Sequence, residues 1–108
     1  MAYNAPTMYA FWNEQADWSE ATFGTTADRG PIGPLKHLRK EVDEAIAKPT
    51  DLEEYADLGF LVVDATRRAG FTYDQWIDKM FEKLEKNKNR TWIKTSGDEP
   101  VEHDRSKD

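Results

Sequence analysis

The chain has 108 residues, 38% hydrophobic and 12% aromatic, with 15 Lys+Arg against 21 Asp+Glu for a net charge of −6. That length makes one domain of the usual ~100–150 residues, with a core thin enough to call for a second copy, and the acidic balance excludes a sequence-independent grip on long nucleic acid. The absence of cysteine excludes a disulfide framework, a thiolate zinc site and a cysteine nucleophile, and points to the cytoplasm.

The opening residues carry neither a basic segment nor a continuous apolar run, and no later window approaches the ~20 apolar residues of a membrane span. The first predicted helix covers residues 7–23, with Thr7 as its N-cap, Phe11, Trp18 and Thr22 at helical spacing, and Gly24 at its end. Residues 24–34 gather three of the six glycines and two of the five prolines, which predicts a loop. It is longer than the usual ~4–6 residue connection, as binding and lid loops often are.

A second helix is predicted over 35–48, where Leu35, Leu38, Val42, Ala45 and Ile46 form an amphipathic stripe that Pro49 terminates. Thr50 and Glu53 have the spacing of a capping box, opening a third helix that runs to Ala69. Its apolar residues fall on most sides, so it should lie centrally in a bundle. Thr72 and Gln75 form another capping box for a fourth helix reaching about Arg90. Residues 95–108 are polar and read as a frayed tail beyond a 1–94 domain. The expectation is an all-α, four-helix subunit.

Two carboxylate pairs carry the chemistry. Glu41 and Glu44 form E-x-x-E, and Glu54 and Asp57 form E-x-x-D. Residues at i and i+3 lie about 60° apart on a helix, so each pair projects two carboxylates from one face. Such pairs repel without a cation, above all in the most apolar helix of the chain. The short turn around Pro49 would bring the pairs together, and a hard divalent ion, Mg²⁺ or Mn²⁺, matches their oxygens. The alternative is that Glu41 and Glu44 solvate a surface while Glu54 and Asp57 favour a helix N-terminus; the coincidence of both pairs on one hairpin favours the metal.

Asp64 lies seven residues beyond Asp57, where it either supports the metal face or pairs with Arg67 or Arg68. The second of these readings is favoured. His37, four residues before Glu41, reads as an exposed polar residue or a phosphate contact. Lys83, Asn87 and Arg90 fall at i, i+4 and i+7, a stripe suited to an oligophosphate or to a helix C-terminus. Among the aromatics Trp18 is the candidate to stack on a base, with Asn13 and Gln15 as candidate readers of its edge.

With E-x-x-E, a proline-broken turn, E-x-x-D and the Lys83, Asn87, Arg90 stripe in that order, the chain resembles the all-α nucleoside triphosphate pyrophosphohydrolases of the MazG-like superfamily. The runs Trp18 to Gly24, Arg29 to Leu38, Arg67 to Phe71 and Gly97 to His103 are similar to the phage dATP/dGTP diphosphohydrolase group. This resemblance covers roughly residues 10–105. It implies a homodimer or homotetramer, and two or three Mg²⁺ or Mn²⁺ ions held by Glu41, Glu44, Glu54 and Asp57. The implied activity is conversion of a purine nucleoside triphosphate, dGTP in particular and in addition GTP or dATP, to the monophosphate and pyrophosphate, within the host cytoplasm. Within that group the dGMP formed feeds synthesis of 2-aminoadenine-containing phage DNA. The similarity also implies that the tail folds over a site.

In the expected mechanism, Glu41, Glu44 and Glu54 orient or deprotonate a water for attack on the α-phosphorus, while Lys83, Asn87 and Arg90 hold the outer phosphates. Two rival readings remain. A non-catalytic helical dimerisation module would leave the carboxylates as surface charge. A di-iron bundle would need E-x-x-H on two helices, and neither His37 nor His103 has that spacing from the acidic pairs.

Overall fold

The computed structural model describes residues 6–93, 97–104 and 106. Four helices follow in order, α1 (Met8–Phe23), α2 (Ile32–Ala47), α3 (Leu52–Arg68) and α4 (Tyr73–Lys88), and then two short strands, β1 (Trp92–Ile93) and β2 (Glu102–His103). The nearly all-helical architecture agrees with the sequence reading. The strands do not appear in it.

Local chemistry sets the helix ends. Thr7 caps α1 by accepting from the Ala10 amide at 3.1 Å. At the other end Gly24 adopts φ +107°, a conformation that favours glycine, and returns its N–H to Glu20. α2 starts at Ile32, earlier than the predicted Leu35, so the connecting loop is shorter than expected. Pro34 is tolerated there because first-turn amides have no partner within a helix, and the Leu35 amide closes the first bond to Pro31 at 3.1 Å.

The start of α3 differs from the expected box. Asp51, rather than Thr50, is the N-cap, and its carboxylate accepts from the Glu53 amide at 3.1 Å. Asp51 is an equally good cap and stands one residue closer to the helix. At α4 the expected box forms in both directions: the Thr72 amide donates to Gln75 Oε1 at 2.9 Å and the Gln75 amide to Thr72 Oγ1 at 3.1 Å.

The chain divides into two compact units, one ending at Trp76 and the other starting at Ile77. The division falls inside α4. In the first unit α3 packs along α2 and against α1, so it is flanked on two sides. Its core contains Trp12, Ala45, Leu61, Val63 and Ala65. Trp12 stacks on Trp76 at 5.7 Å and meets Tyr73 edge-on at 5.8 Å. The buried side of α1 is Trp12, Gln15 and Ser19. The predicted stripe differs because α3 offers this side a charged anchor rather than an oily one.

In the second unit β1 and β2 pair antiparallel, with Trp92 opposite His103 and Ile93 opposite Glu102. The Trp92 indole N–H donates to the Asn87 carbonyl at 2.9 Å, and its ring meets His103 edge-on at 5.8 Å. The polar tail thus supplies a strand where composition alone predicts fraying. Residues 95, 96, 105, 107 and 108 of that predicted tail lie outside the described residues. No helix among the described residues is long and apolar enough to cross a membrane.

Candidate active site

The acidic face of α2 meets that of α3 across the Pro49 turn. Carboxylate oxygens of Glu41, Glu44 and Glu54 lie within 4.8 Å of one another. Glu54 is only 9% exposed, although its place in the first turn of α3 would have suited a solvated side chain. Oε2 of Glu54 and Oε2 of Glu41 are buried and lack hydrogen-bond partners among the described residues. Buried unsatisfied carboxylate oxygens are costly unless a cation meets them.

The electrostatics agree. The close approach of the Glu44 carboxyl pushes the Glu41 carboxyl above the usual range, with burial and the Glu44 charge adding to it, His37 opposing it and Asp57 adding further. Burial is the main cause raising Glu54, followed by the Glu44 charge, with Lys48 opposing and Asp51 and Asp57 contributing. Asp57 stands outside the tightest trio, yet both glutamates feel its charge. His37 Nε2 lies 3.0 Å from Glu41 Oε1. The donor set is all oxygen, anionic and clustered, so these residues fit hard divalent ions.

Beside the acidic trio a cavity of about 640 Å³ opens in the first unit. Trp18, Phe23, Phe60 and Leu61 form an apolar wall; Arg29, Gly30, Ile32, Gly33 and Pro34 bring the loop and the start of α2; His37, Asp57, Asp64 and Arg68 contribute polar groups. Trp18 meets Phe23 edge-on at 5.5 Å and Phe60 at 5.6 Å. This places the candidate stacking residue and Asp57 on one cavity.

The two candidate edge readers lie elsewhere. Asn13 lines a separate depression with Tyr9, Trp12, Phe71, Thr72, Tyr73 and Asp74. Gln15 is buried and engaged at both ends of its amide: the nitrogen donates to Asp64 Oδ1 at 2.9 Å, and the oxygen accepts from Arg67. Lys83 and Asn87 sit on the part of α4 in the second unit, and Arg90 follows that helix.

Asp64 takes the ion-pair role that its spacing favours. Arg67 Nη2 approaches Oδ1 at 2.8 Å and Arg68 Nε approaches Oδ2 at 3.1 Å, while Ser19 Oγ donates to Oδ1 at 2.7 Å. Burial alone would raise this carboxyl, but hydrogen bonds from Gln15, Ser19 and Arg67 and the charge of Arg68 hold it below the ordinary range. Of the buried cluster of Gln15, Ser19, Asp64 and Arg68, the sequence reading holds the pairing of Asp64 with an arginine and misses the contribution of Gln15 and Ser19. Its signal was the polar pair Gln15 and Ser19, one turn apart on the same helical face as Trp12.

Residues 11–107 match the profile of the dATP/dGTP pyrophosphohydrolase family. The chain belongs to this family. A phage relative, the Eaa protein of Salmonella phage P22, is 52% identical over 91 residues, a match covering 83% of this chain and 27% of the relative. The chain therefore spans about a quarter of that relative's length. Among solved structures, it is similar to the cyanophage S-2L MazG-like pyrophosphohydrolase bound to dGDP and three catalytic Mn²⁺ ions per active site, with a TM-score of 0.72 and 28% identity. That match covers 95% of this chain and 98% of the other. The fold of this family member is thus MazG-like, as the order of its acidic motifs implied.

Proposed function

We propose that this chain hydrolyses a purine nucleoside triphosphate, foremost dGTP and in addition GTP or dATP, to the monophosphate and pyrophosphate, using divalent ions. The observation that carries this reading is the clustering of the Glu41, Glu44 and Glu54 carboxylates, with partnerless buried oxygens on Glu41 and Glu54 among the described residues, beside an aromatic-walled cavity. Membership of the pyrophosphohydrolase family and likeness to an enzyme bound to dGDP and Mn²⁺ support it.

Glu41, Glu44, Glu54 and Asp57 would hold two or three Mg²⁺ or Mn²⁺ ions. Bound there, such ions lower the pKa of water and neutralise phosphoryl oxygens. One carboxylate among Glu41, Glu44 and Glu54 takes the proton of the attacking water. The water oxygen bonds to the α-phosphorus, the bond from that phosphorus to the α,β-bridging oxygen breaks, and pyrophosphate departs. Trp18 stacks on the base within the cavity, while Lys83, Asn87 and Arg90 hold the β- and γ-phosphates through point charge, amide and fork. The dGMP formed would feed synthesis of 2-aminoadenine-containing phage DNA in the host cytoplasm.

A second copy of the chain completes the functional unit in this proposal. Ile32, Leu35, Val42 and Ile46 recur at seam-like spacing along the exposed side of α2, and Leu52 and Tyr55 continue an apolar surface on α3. Leu52 at 81% and Ile46 at 71% exposure are the extremes, and they flank the turn that joins the two helices.

The test is incubation of the protein with each of the eight ribo- and deoxynucleoside triphosphates plus Mg²⁺ or Mn²⁺, with products resolved by anion exchange. Monophosphate and pyrophosphate in equal amounts from a purine deoxynucleotide are expected. No pyrophosphate from any nucleotide with either ion would overturn the reading in favour of a helical interaction module.

A further inference from the structure

Arg68 on α3 is 3% exposed, and every N–H of its guanidinium is engaged. Nε donates to Asp64 Oδ2 at 3.1 Å. Nη2 donates to the Ser19 carbonyl at 3.3 Å and to Ser19 Oγ at 2.8 Å. Nη1 reaches the carbonyls of Gly24 and Arg29, both at 3.1 Å, with that of Thr25 at 3.5 Å. No donor is left over for a substrate, so whatever Arg68 does for the cavity it does through its protein partners.

Those partners fall into two groups. Asp64 and Ser19 belong to helices and lie deep in the first unit, where Gln15 and Arg67 fix the carboxylate further. Gly24 and Arg29 stand at opposite ends of the segment joining α1 to α2. Within itself that segment is held lightly: the Asp28 and Arg29 amides donate to the Thr25 carbonyl at 3.0 and 2.9 Å, and Thr25 leans on the exposed Asp28 carboxylate. Among the described residues, the hydrogen bonds that tie it to α3 come from one buried guanidinium.

The same segment makes a wall of the cavity. Phe23 precedes it, Arg29 and Gly30 line the cavity directly, and the Trp18 and Phe60 rings line the same cavity. We infer that Arg68 is a positioning residue for base selection: by pinning the carbonyls of Gly24 and Arg29 to a rigid helical anchor, it fixes the gap between loop and ring wall at the width of a purine. This rests on the proposal that the cavity takes the base. Lysine cannot replace the guanidinium there, since one ammonium offers three donors from a single point rather than a planar fork spanning both ends of the loop.

The test compares Arg68→Lys and Asp28→Ala with the unaltered protein. Asp28→Ala loosens the same loop from its exposed side, so it reports even if the buried substitution does not fold. In each folded variant the ratio of kcat/KM for dGTP over dCTP should fall, by about tenfold in Arg68→Lys, mainly through a higher KM for dGTP. Affinity for Mn²⁺ alone, read by calorimetry, should stay unchanged. Equal losses for dGTP and dCTP with an unaltered ratio, or a loss of Mn²⁺ affinity, would make Arg68 a structural residue only and overturn the inference. Quenching of tryptophan fluorescence by dGMP against dCMP separates this claim from the hydrolase reading. A protein that turns over nothing but prefers dGMP in this assay, and loses the preference on Arg68→Lys, keeps the positioning claim and loses the enzyme; no preference, or one that survives Arg68→Lys, loses the positioning claim.

Discussion

Glu41 and Asp57 frame the acidic cluster from different helices, and each tests it in a different way. Glu41→Gln or Asp57→Asn should abolish pyrophosphate release while circular dichroism retains its helical signal. Because its neighbours already raise the Glu41 carboxyl, neutralising that residue should also raise the melting temperature in EDTA. Retained turnover would remove the cluster from the chemistry. Arg90→Ala should weaken binding of a triphosphate more than of the corresponding monophosphate in parallel titrations; equal weakening would take Arg90 out of phosphate binding. Asp64 makes the opposite electrostatic case to Glu41. Its carboxyl is held below the ordinary range, so its stabilising contribution is full above the unfolded value near ~3.9 and is lost as pH falls through the lower folded value. Asp64→Asn, which leaves Arg68 and Arg67 without their anion, should cost about 3–5 kcal/mol in urea unfolding at neutral pH. Its stability should also depend less on pH below about 4 than that of the unaltered protein.

Helix boundaries followed the local chemistry of the chain closely. Thr7, Gly24 and the Thr72 with Gln75 pair act as their residue types predict, because caps depend on three or four consecutive residues and little else. Thr72→Ala removes the hydroxyl that accepts the Gln75 amide and should lower stability by about 1 kcal/mol in chemical denaturation. An unchanged midpoint would mean that water replaces the bond. The start of α3 was less legible, since Thr50 and Asp51 are both good caps and only the geometry of the Pro49 turn chooses between them. The strand at Glu102 and His103 was not legible at all. Two residues of pairing leave no alternation to read, and what holds them is their partners at Trp92 and Ile93.

Unit by unit, the molecule leaves much apolar surface uncovered. On the first unit its most exposed side chains, Leu52 and Ile46, flank the turn between α2 and α3. Ile46→Glu or Leu52→Glu should therefore convert a self-associated protein to a monomer in light scattering, without loss of helix content. A monomeric unaltered protein, or variants of unchanged mass, would take this face out of self-association. The acidic motifs, their order and their helical spacing determined the family and the all-α fold, since a period of 3.6 residues and a proline at the turn are properties of the chain alone. Which oxygens lie within 4.8 Å, that Gln15 is engaged by Asp64 rather than open to a ligand, and that Arg68 ties down the loop from Gly24 to Arg29 all came from packing. The last two join residues about 40 to 50 positions apart, and no local rule of spacing says which polar side chains a fold will bury against one another.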